Sequence, residues 1–279
     1  MTTPPSNFHA WQLRFVDAPR IHSALDVGCG KGQMVEELRT CIAPGALLLA
    51  LDIHEQAIHN TRQHTNIDCV RATAEDLPVV SGQFDLVTAG HVLPLVTNMS
   101  KAVNELRRVL APRGTLLASV NSETSGERML AWHIEACQRA GRSGQAARAT
   151  ASSSARRFSL ENGAGILSRV FKTVEVQTQE TALVFRTIDA LLKMYVGGLH
   201  MRGTSTSNAD SDFSWLADEL SPHMRAVAAA AAEPDGRIIV PRRSGCLIAH
   251  GWQPRPISKD LSPSDTFHYQ TGYKKPSMH

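Results

Sequence analysis

The chain has 279 residues, 42% of them apolar and 20% charged, with a formal net charge of +3. That balance excludes wholesale disorder and a long coiled coil, and so small a charge gives no reason to expect a nucleic-acid partner. The longest apolar runs, such as Ala46 to Leu51 and Ala226 to Ala232, fall far short of the roughly 20 residues that cross a bilayer, so no membrane partner is expected.

In chain order, residues 1–20 read as a lead-in with a helix, with Pro4 and Pro5 near its start. Met1 to Asn7 carries neither the basic start nor the apolar run of a secretory signal, so a cytoplasmic location is expected. From Ser23 to Val120 short apolar runs alternate with amphipathic stretches, the pattern of βα units that build a doubly wound parallel sheet. Predicted strands are Ala24 to Val27, Leu47 to Asp52, Asp68 to Ala72, Phe84 to Ala89 and Gly114 to Val120. A helix is predicted over Gln33 to Arg39, and a second over Met99 to Leu110, where Ala102, Val103, Leu106, Val109 and Leu110 share one face. Pro112 and Gly114 are expected to end that helix.

Beyond Asn121, Ser122 to Gln138 is predicted as a helix, and residues 139–157, rich in Gly, Ala, Ser and Arg, as a loop or lid. Alternation over Val170 to Phe185 predicts two strands. Helices follow near Ile188 to Gly197 and over Phe213 to Ala232, with a break or kink at Pro222. The last predicted strand is Cys246 to His250, before a tail, 253–279, expected to be poorly ordered. The whole reads as one α/β unit. Residues 21–121 form its core, and residues 122–252 complete the sheet and carry cap insertions at 122–157 and 187–243.

The strongest local signal is Leu25-Asp26-Val27-Gly28-Cys29-Gly30-Lys31-Gly32, placed where a buried strand ends and a helix begins. Glycines there permit a tight turn and let backbone approach a ligand. Asp52 ends the next strand, 20 positions after Gly32, the spacing at which such folds set a carboxylate on a ribose hydroxyl pair. Adenosine is therefore the expected ligand. Gly28, Gly30 and Gly32 alternate rather than following G-x-G-x-x-G, and Asp26 precedes them. A carboxylate beside the loop would repel a pyrophosphate but could hold a cationic amino-acid moiety, which favours S-adenosylmethionine over NAD.

With these residues in place the sequence resembles the class I S-adenosylmethionine-dependent methyltransferases, in particular the bacterial group that methylates small molecules and lipids. The resemblance runs through Leu51-Asp52-Ile53, Ala74-Glu75-Asp76-Leu77-Pro78, Phe84-Asp85-Leu86-Val87 and Leu106-Arg107-Arg108-Val109-Leu110-Ala111-Pro112-Arg113-Gly114. Weaker similarity continues in Phe158-Ser159-Leu160-Glu161-Asn162-Gly163 and Gly245-Cys246-Leu247-Ile248-Ala249. It implies a Rossmann-like, mostly parallel seven-stranded sheet with a helical cap and an antiparallel last strand. It also implies S-adenosyl-L-methionine as cofactor and S-adenosyl-L-homocysteine as product, while the spacing of the histidines and cysteines gives no metal site.

The same resemblance implies roles for single residues. Gly28, Cys29 and Gly30 would line the methionine portion, with Asp26 near its amino group and Cys29 as a packing residue. Asp52 would take the ribose hydroxyls, Ile53 would pack on the adenine, and Thr73, Ala74 and Glu75 would edge the ring. Thr73 stands where the family often has an aspartate. Gly90 and His91 follow the fourth strand and would lie near the sulfonium and the incoming nucleophile. His91 is the candidate catalytic group, read either as an acid/base or orienting side chain or as a hydrogen-bonding residue at a strand end. Pro94 stands where many relatives carry a histidine or an aromatic. Trp132, His133, Tyr195 and His200 fall in the cap segments and are candidate acceptor-binding residues, with core packing as the plain alternative.

Five cysteines without a close pair fit neither a disulfide scaffold nor a zinc ribbon. His54, His59 and His64 do not share a helical face and read as solvated surface. Arg139, Arg142, Arg148, Arg156 and Arg157 form a run without an acid, which could meet a phosphate, a carboxylate, a carrier protein or RNA, or simply be solvated. The expected function is methyl transfer to O, N or C of a small-molecule acceptor, in specialised metabolism, by a monomer or homodimer. The alternatives are a methyltransferase for RNA or a protein-bound acceptor, a non-catalytic cofactor-binding module, and an enzyme that uses the sulfonium for other chemistry.

Overall fold

The computed structural model of the chain describes residues 7–65, 67–144, 157–204 and 214–252, with side chains for all of these except 64, 198–204, 214–217 and 252. The strands are β1 (Ser23–Val27), β2 (Leu47–Asp52), β3 (Asp68–Arg71), β4 (Phe84–Gly90), β5 (Leu110–Asn121), β6 (Phe171–Phe185) and β7 (Ile238–Trp252). They form one sheet in the order β3-β2-β1-β4-β5-β7-β6. The first five are parallel, and β7 runs antiparallel to both β5 and β6.

Helices cover both faces, which is why the central strands are apolar on both sides. On one face Leu25, Val27, Leu51, Val87 and Leu116 pack beneath Ala102, Val103, Leu106 and Val109 of a helix over Met99–Val109. On the other, Ala24, Ala50, Leu86, Leu117, Cys246 and Ile248 meet α1 (Phe8–Leu13), through Trp11, and α2 (Gln33–Cys41), through Met34, Val35 and Leu38. The sequence order reverses direction between β1 and β4, and the crevice outside the carboxyl ends of those strands is where open α/β sheets bind ligands.

β1 to β4 fall where the sequence predicts them, whereas β5 and the antiparallel part differ. Residues 171–185 form one strand of 15 residues rather than two, paired to β7 from Phe171↔Trp252 to Phe185↔Ile238. β7 begins at Ile238, well before Cys246. Pro241 is tolerated there because β5 ends at Asn121, opposite Ser244, leaving β7 unpaired on that side. β5 likewise begins at Leu110, directly after the Met99–Val109 helix. The region 122–138 splits into a 3-10 turn, Glu123–Gly126, and a helix, Glu127–Arg139. The Ser214–Ala230 helix runs through Pro222 without ending.

Residues 238–243 and their partners 180–185 continue past the end of β5 as a two-stranded arm, on the order of 20 Å long at ~3.3 Å per residue. The arm carries a third core. Leu183, Phe185, Ile238 and Val240 pack with Trp132, Ala136, Leu191, Leu220, Met224 and Val227 of the three helices that follow β5 and β6. These helices form the cap.

Gly245 marks the tightest crossing at the base of the arm. A Cβ there would collide with the carbonyl oxygen of Gln177 and lie 2.6 Å from Leu160 Cδ2. Gly245→Ala is therefore expected to lower stability by about 1–3 kcal/mol, the usual cost of overpacking, read as a lower urea midpoint at unchanged slope.

Candidate functional site

β1 delivers the chain to the reversal point and stops at Val27, where three glycines take up a conformation most residues resist. Gly28, Gly30 and Gly32 have φ of 76°, 55° and 80°. The loop is stitched to β2 because the N–H groups of Gly28 and Cys29 donate to the Leu51 carbonyl at 2.7 and 3.0 Å. A Cβ on Gly28 would run into Val92 Cγ2, so Gly28 and Val92 close one wall of the crevice.

Asp52, at the end of β2, is 8% exposed and faces this loop. Its Oδ2 accepts from the Gly30 N–H at 3.0 Å and its Oδ1 from the His54 N–H at 2.9 Å. Ile53, the next residue, is 55% exposed, an apolar side chain left open beside a carboxylate. Asp26 is buried beneath the loop, where Thr88 donates to its Oδ1 at 2.6 Å. Burial pushes the Asp26 carboxyl up to about 6, against the Thr88 hydrogen bond and with a smaller push from Asp52. Cys29 packs against Thr61, and burial raises its thiol to about 12, so it is a neutral thiol and no nucleophile.

At the neighbouring rim, Thr73 Oγ1 accepts from the Glu75 N–H at 3.3 Å and Ala74 is buried. The Glu75 carboxylate turns away, accepting from the N–H groups of Thr97 and Asn98 at 2.7 and 3.0 Å. β4 ends at Gly90 and is followed by His91, whose φ of 57° is the only positive value for a non-glycine among the described residues. A strained backbone of this kind recurs at functional sites. The His91 N–H donates to the Ser119 carbonyl at 2.9 Å.

Residues 25–118, which carry the glycine loop, Asp52, Thr73, Glu75 and His91, match the family described as "Methyltransferase domain". These residues form a methyltransferase domain. It is 29% identical over 120 residues to the demethylmenaquinone methyltransferase of Staphylococcus carnosus, covering 40% of this chain and 50% of that protein. It is 32% identical over 117 residues to the malonyl-[acyl-carrier protein] O-methyltransferase of Enterobacter lignolyticus, covering 41% and 45%. The chain thus spans about half the length of these relatives. A methyltransferase candidate of known structure from Bacillus halodurans shares the fold, with a TM-score of 0.56 at 14% identity over 88% of this chain and 99% of that one.

The cofactor of such a domain is S-adenosyl-L-methionine, and the residues present fit it. The glycines leave the backbone bare where a side chain would fill the crevice. Asp52 offers a carboxylate at the end of β2, and Asp26 is a buried acid with no cationic partner among the described residues. Around this methyltransferase core the other candidates are placed differently. Trp132, His133 and Tyr195 come together inside the cap, where His133 Nδ1 and the Tyr195 hydroxyl are 2.7 Å apart and His133 Nε2 lies 3.6 Å from Cys137 Sγ. All three are buried among cap side chains. His200 is on the Ile188–Thr204 helix, but its side chain lies outside the described residues, as does that of His64. His54, just before the helix Glu55–Thr65, and His59, on it, are both exposed, and no metal-binding group of three acids, histidines or cysteines occurs among the described residues.

The described members of the arginine run have partners, one on the same helix and two on distant segments. Arg139 pairs with Glu135 at 2.7 Å, Arg142 with Glu219 at 2.9 Å, and Arg157 donates to the Val96 carbonyl at 3.3 Å. Arg148 and Arg156 lie outside the described residues.

Five residues at the site escape a reading of the sequence. α1 lies over the crevice, with the Phe8 ring 6.2 Å from that of His91. Gln12 is 1% exposed, and its Nε2 and the His9 Nδ1 are buried without a partner. Ser119, beside Gly90 on β5, has a buried unpartnered hydroxyl. Arg242 reaches from β7 to Asn121 Oδ1 at 3.2 Å. The alternation of β5 could have placed Ser119; nothing local marks the others.

Proposed function

We propose that the whole chain is a methyltransferase that moves a methyl group from S-adenosyl-L-methionine to O, N or C of a small-molecule acceptor enclosed by the cap. The observation that carries this reading is the Asp52 carboxylate set against the glycine loop at the reversal point of the sheet, inside the segment that matches the family. Bound S-adenosyl-L-methionine supplies an electrophilic methyl group on a sulfonium and leaves as S-adenosyl-L-homocysteine. Asp52 would accept from the ribose hydroxyls, Asp26 would face the amino group, and the backbone of Gly28, Cys29 and Gly30 would line the methionine portion. Ile53 would pack on the adenine, with Thr73, Ala74 and Glu75 at its edge. Residues 21–121 act as the cofactor core, with the cap drawn from 122–157 and 187–243.

Displacement at a sulfonium needs alignment and exclusion of water more than a protein nucleophile. α1 and the cap supply that exclusion at the carboxyl edge. Gly90 and His91 would lie at the reacting end. Burial, then the charge of Arg242 and of His9, depresses His91 to about 4, so it is neutral at pH 7. An effective general base titrates near the working pH, so His91 acts here as a neutral hydrogen-bonding and orienting group. Among the described residues no helix is long and apolar enough to cross a membrane.

The depressed imidazole has a measurable signature. Between about pH 6.5 and 4 the unfolded chain protonates His91 and the folded chain does not, so this residue removes stability as pH falls through that window. Asp26, raised from 3.8 to about 6, takes up its proton in the folded state and acts in the opposite sense. His91→Gln should therefore gain stability relative to the native chain as pH is lowered from 7 to about 4.5. Urea midpoints that move in parallel for the two proteins would contradict this placement.

The function itself is tested by calorimetric titration with S-adenosyl-L-methionine and S-adenosyl-L-homocysteine, followed by radiolabelled methyl transfer into a panel of small oxygen, nitrogen and carbon acceptors. Saturable binding of both and one labelled product are expected. A folded chain that binds neither overturns the reading.

A further inference from the structure

Side chains alternate along a strand, so Arg242, Ser244 and Cys246 of β7 share one face, as do Leu117, Ser119 and Asn121 of β5. Cys246 and Leu117 pack with Trp11 of α1, which fixes that face as the one α1 covers. Register pairs Ser119 with Cys246, Asn121 with Ser244, and Ser244 with Gln179 of β6. The sheet surface under α1 therefore changes from apolar at Leu117 and Ile248 to polar at its carboxyl edge.

Several polar atoms on this strip have no partner. The Ser119 hydroxyl and Gln179 Oε1 are buried without a hydrogen bond, and so is His9 Nδ1 on α1. Arg242 is half buried, and its Nε donates to Asn121 Oδ1, which also accepts from Ser244 Oγ at 2.7 Å. No carboxylate pairs with Arg242 among the described residues, whereas Arg139, Arg142, Arg225 and Arg237 all have one. The terminal N–H groups of this half-buried guanidinium have no acceptor among the described residues, and a guanidinium so placed can bind an anion. Its charge is felt by His91, so it bears on the reacting end of the crevice.

We propose that Arg242 anchors an acceptor bearing a carboxylate, held at the carboxyl edge of β5 and β7 beneath α1. This rests on the methyltransferase reading and narrows its substrate class. The choice of a monoanion follows from charge. His9 and His91 are both depressed by burial and are neutral at pH 7, so Arg242 offers one positive charge, matched by a carboxylate and not by a phosphate dianion. Ser119 offers a hydroxyl donor on the same face, and the guanidinium fork fits a carboxylate with two parallel hydrogen bonds.

The test uses the full chain saturated with S-adenosyl-L-homocysteine and titrated with carboxylic acids paired with their own primary amides: benzoate with benzamide, hexanoate with hexanamide, and indole-3-acetate with its amide. Phenyl phosphate is a separate arm. At least one acid is expected to bind about tenfold or more tightly than its amide, and Arg242→Gln should bring that ratio close to one. Arg242→Lys, which keeps the charge, should restore part of the preference, and the affinity for S-adenosyl-L-homocysteine should be unchanged in both variants. The proposal is overturned if no acid outbinds its amide, if the preference survives in a folded Arg242→Gln, or if phenyl phosphate binds more tightly than every acid. Failure of the native chain to bind S-adenosyl-L-homocysteine is a different result, and it overturns the methyltransferase reading instead.

Discussion

Replacing Gly28 with alanine is expected to abolish measurable cofactor binding and to destabilise the fold by about 2–5 kcal/mol. Two independent costs add. A φ of 76° holds Gly28 in the left-handed region, where a Cβ costs about 1–2 kcal/mol. The new methyl also meets Val92 Cγ2 and lies 3.6 Å from Val92 Cβ. Valine is stiff at χ1, so the clash is relieved only by moving the backbone after β4 or the loop itself, at about 1–3 kcal/mol for overpacking. Either movement displaces the N–H groups of Gly28 and Cys29 from the Leu51 carbonyl. Denaturant unfolding and titration with S-adenosyl-L-homocysteine read the two effects separately. The double variant Gly28→Ala/Val92→Ala should recover the packing part of the loss and not the conformational part. A Gly28→Ala protein with native stability and affinity would show that the wall formed by Gly28 and Val92 does not bound the site.

Asp52→Ala is expected to weaken binding of S-adenosyl-L-homocysteine by roughly ten- to a hundredfold, about 1–3 kcal/mol. The carboxylate has two tasks, one visible and one proposed. It satisfies the N–H groups of Gly30 and His54, which sets the shape of the loop, and it would accept from the ribose hydroxyls. Asp52→Asn separates the tasks, because an amide keeps one acceptor oxygen but replaces the other with a donor. Its affinity should fall between those of Asp52→Ala and the native chain. If the ligand is adenosine-based, removing the ribose hydroxyls from the ligand should cost the native protein far more than it costs Asp52→Ala. Equal losses in both proteins would mean that Asp52 shapes the loop and does not touch the ligand.

How far the sequence spoke for itself depended on burial. Leu47–Asp52 and Phe84–Gly90 are enclosed on both faces, so their apolar runs stand out, and the loop and Asp52 follow from their positions at strand ends. β6 shows mostly exposed and half-exposed residues along its length, so its extent is set by pairing with β7, which no local pattern reveals. Pro241, Arg242 and Arg243 fall in the predicted cap segment rather than in a strand because the sequence does not show that β5 has already ended beside them. Partners remote in sequence are silent for the same reason. Glu219 lies 77 residues from Arg142, and the contact between His133 and Tyr195 joins segments 62 residues apart, which turns two candidate acceptor contacts into mutual packing inside the cap.

The arm formed by 180–185 and 238–243 also governs how the cap can move. Its backbone ladder runs without a gap from Thr173↔His250 to Phe185↔Ile238, so the cap is joined to the sheet by a girder rather than a hinge. Motions of the cap must then be carried as bending and twisting of the ladder, felt at Ser244 and Cys246 where β7 rejoins β5. Amide exchange should slow progressively from the tip at Ile238 toward Cys246, and a ligand gripped by both cap and core should flatten that gradient.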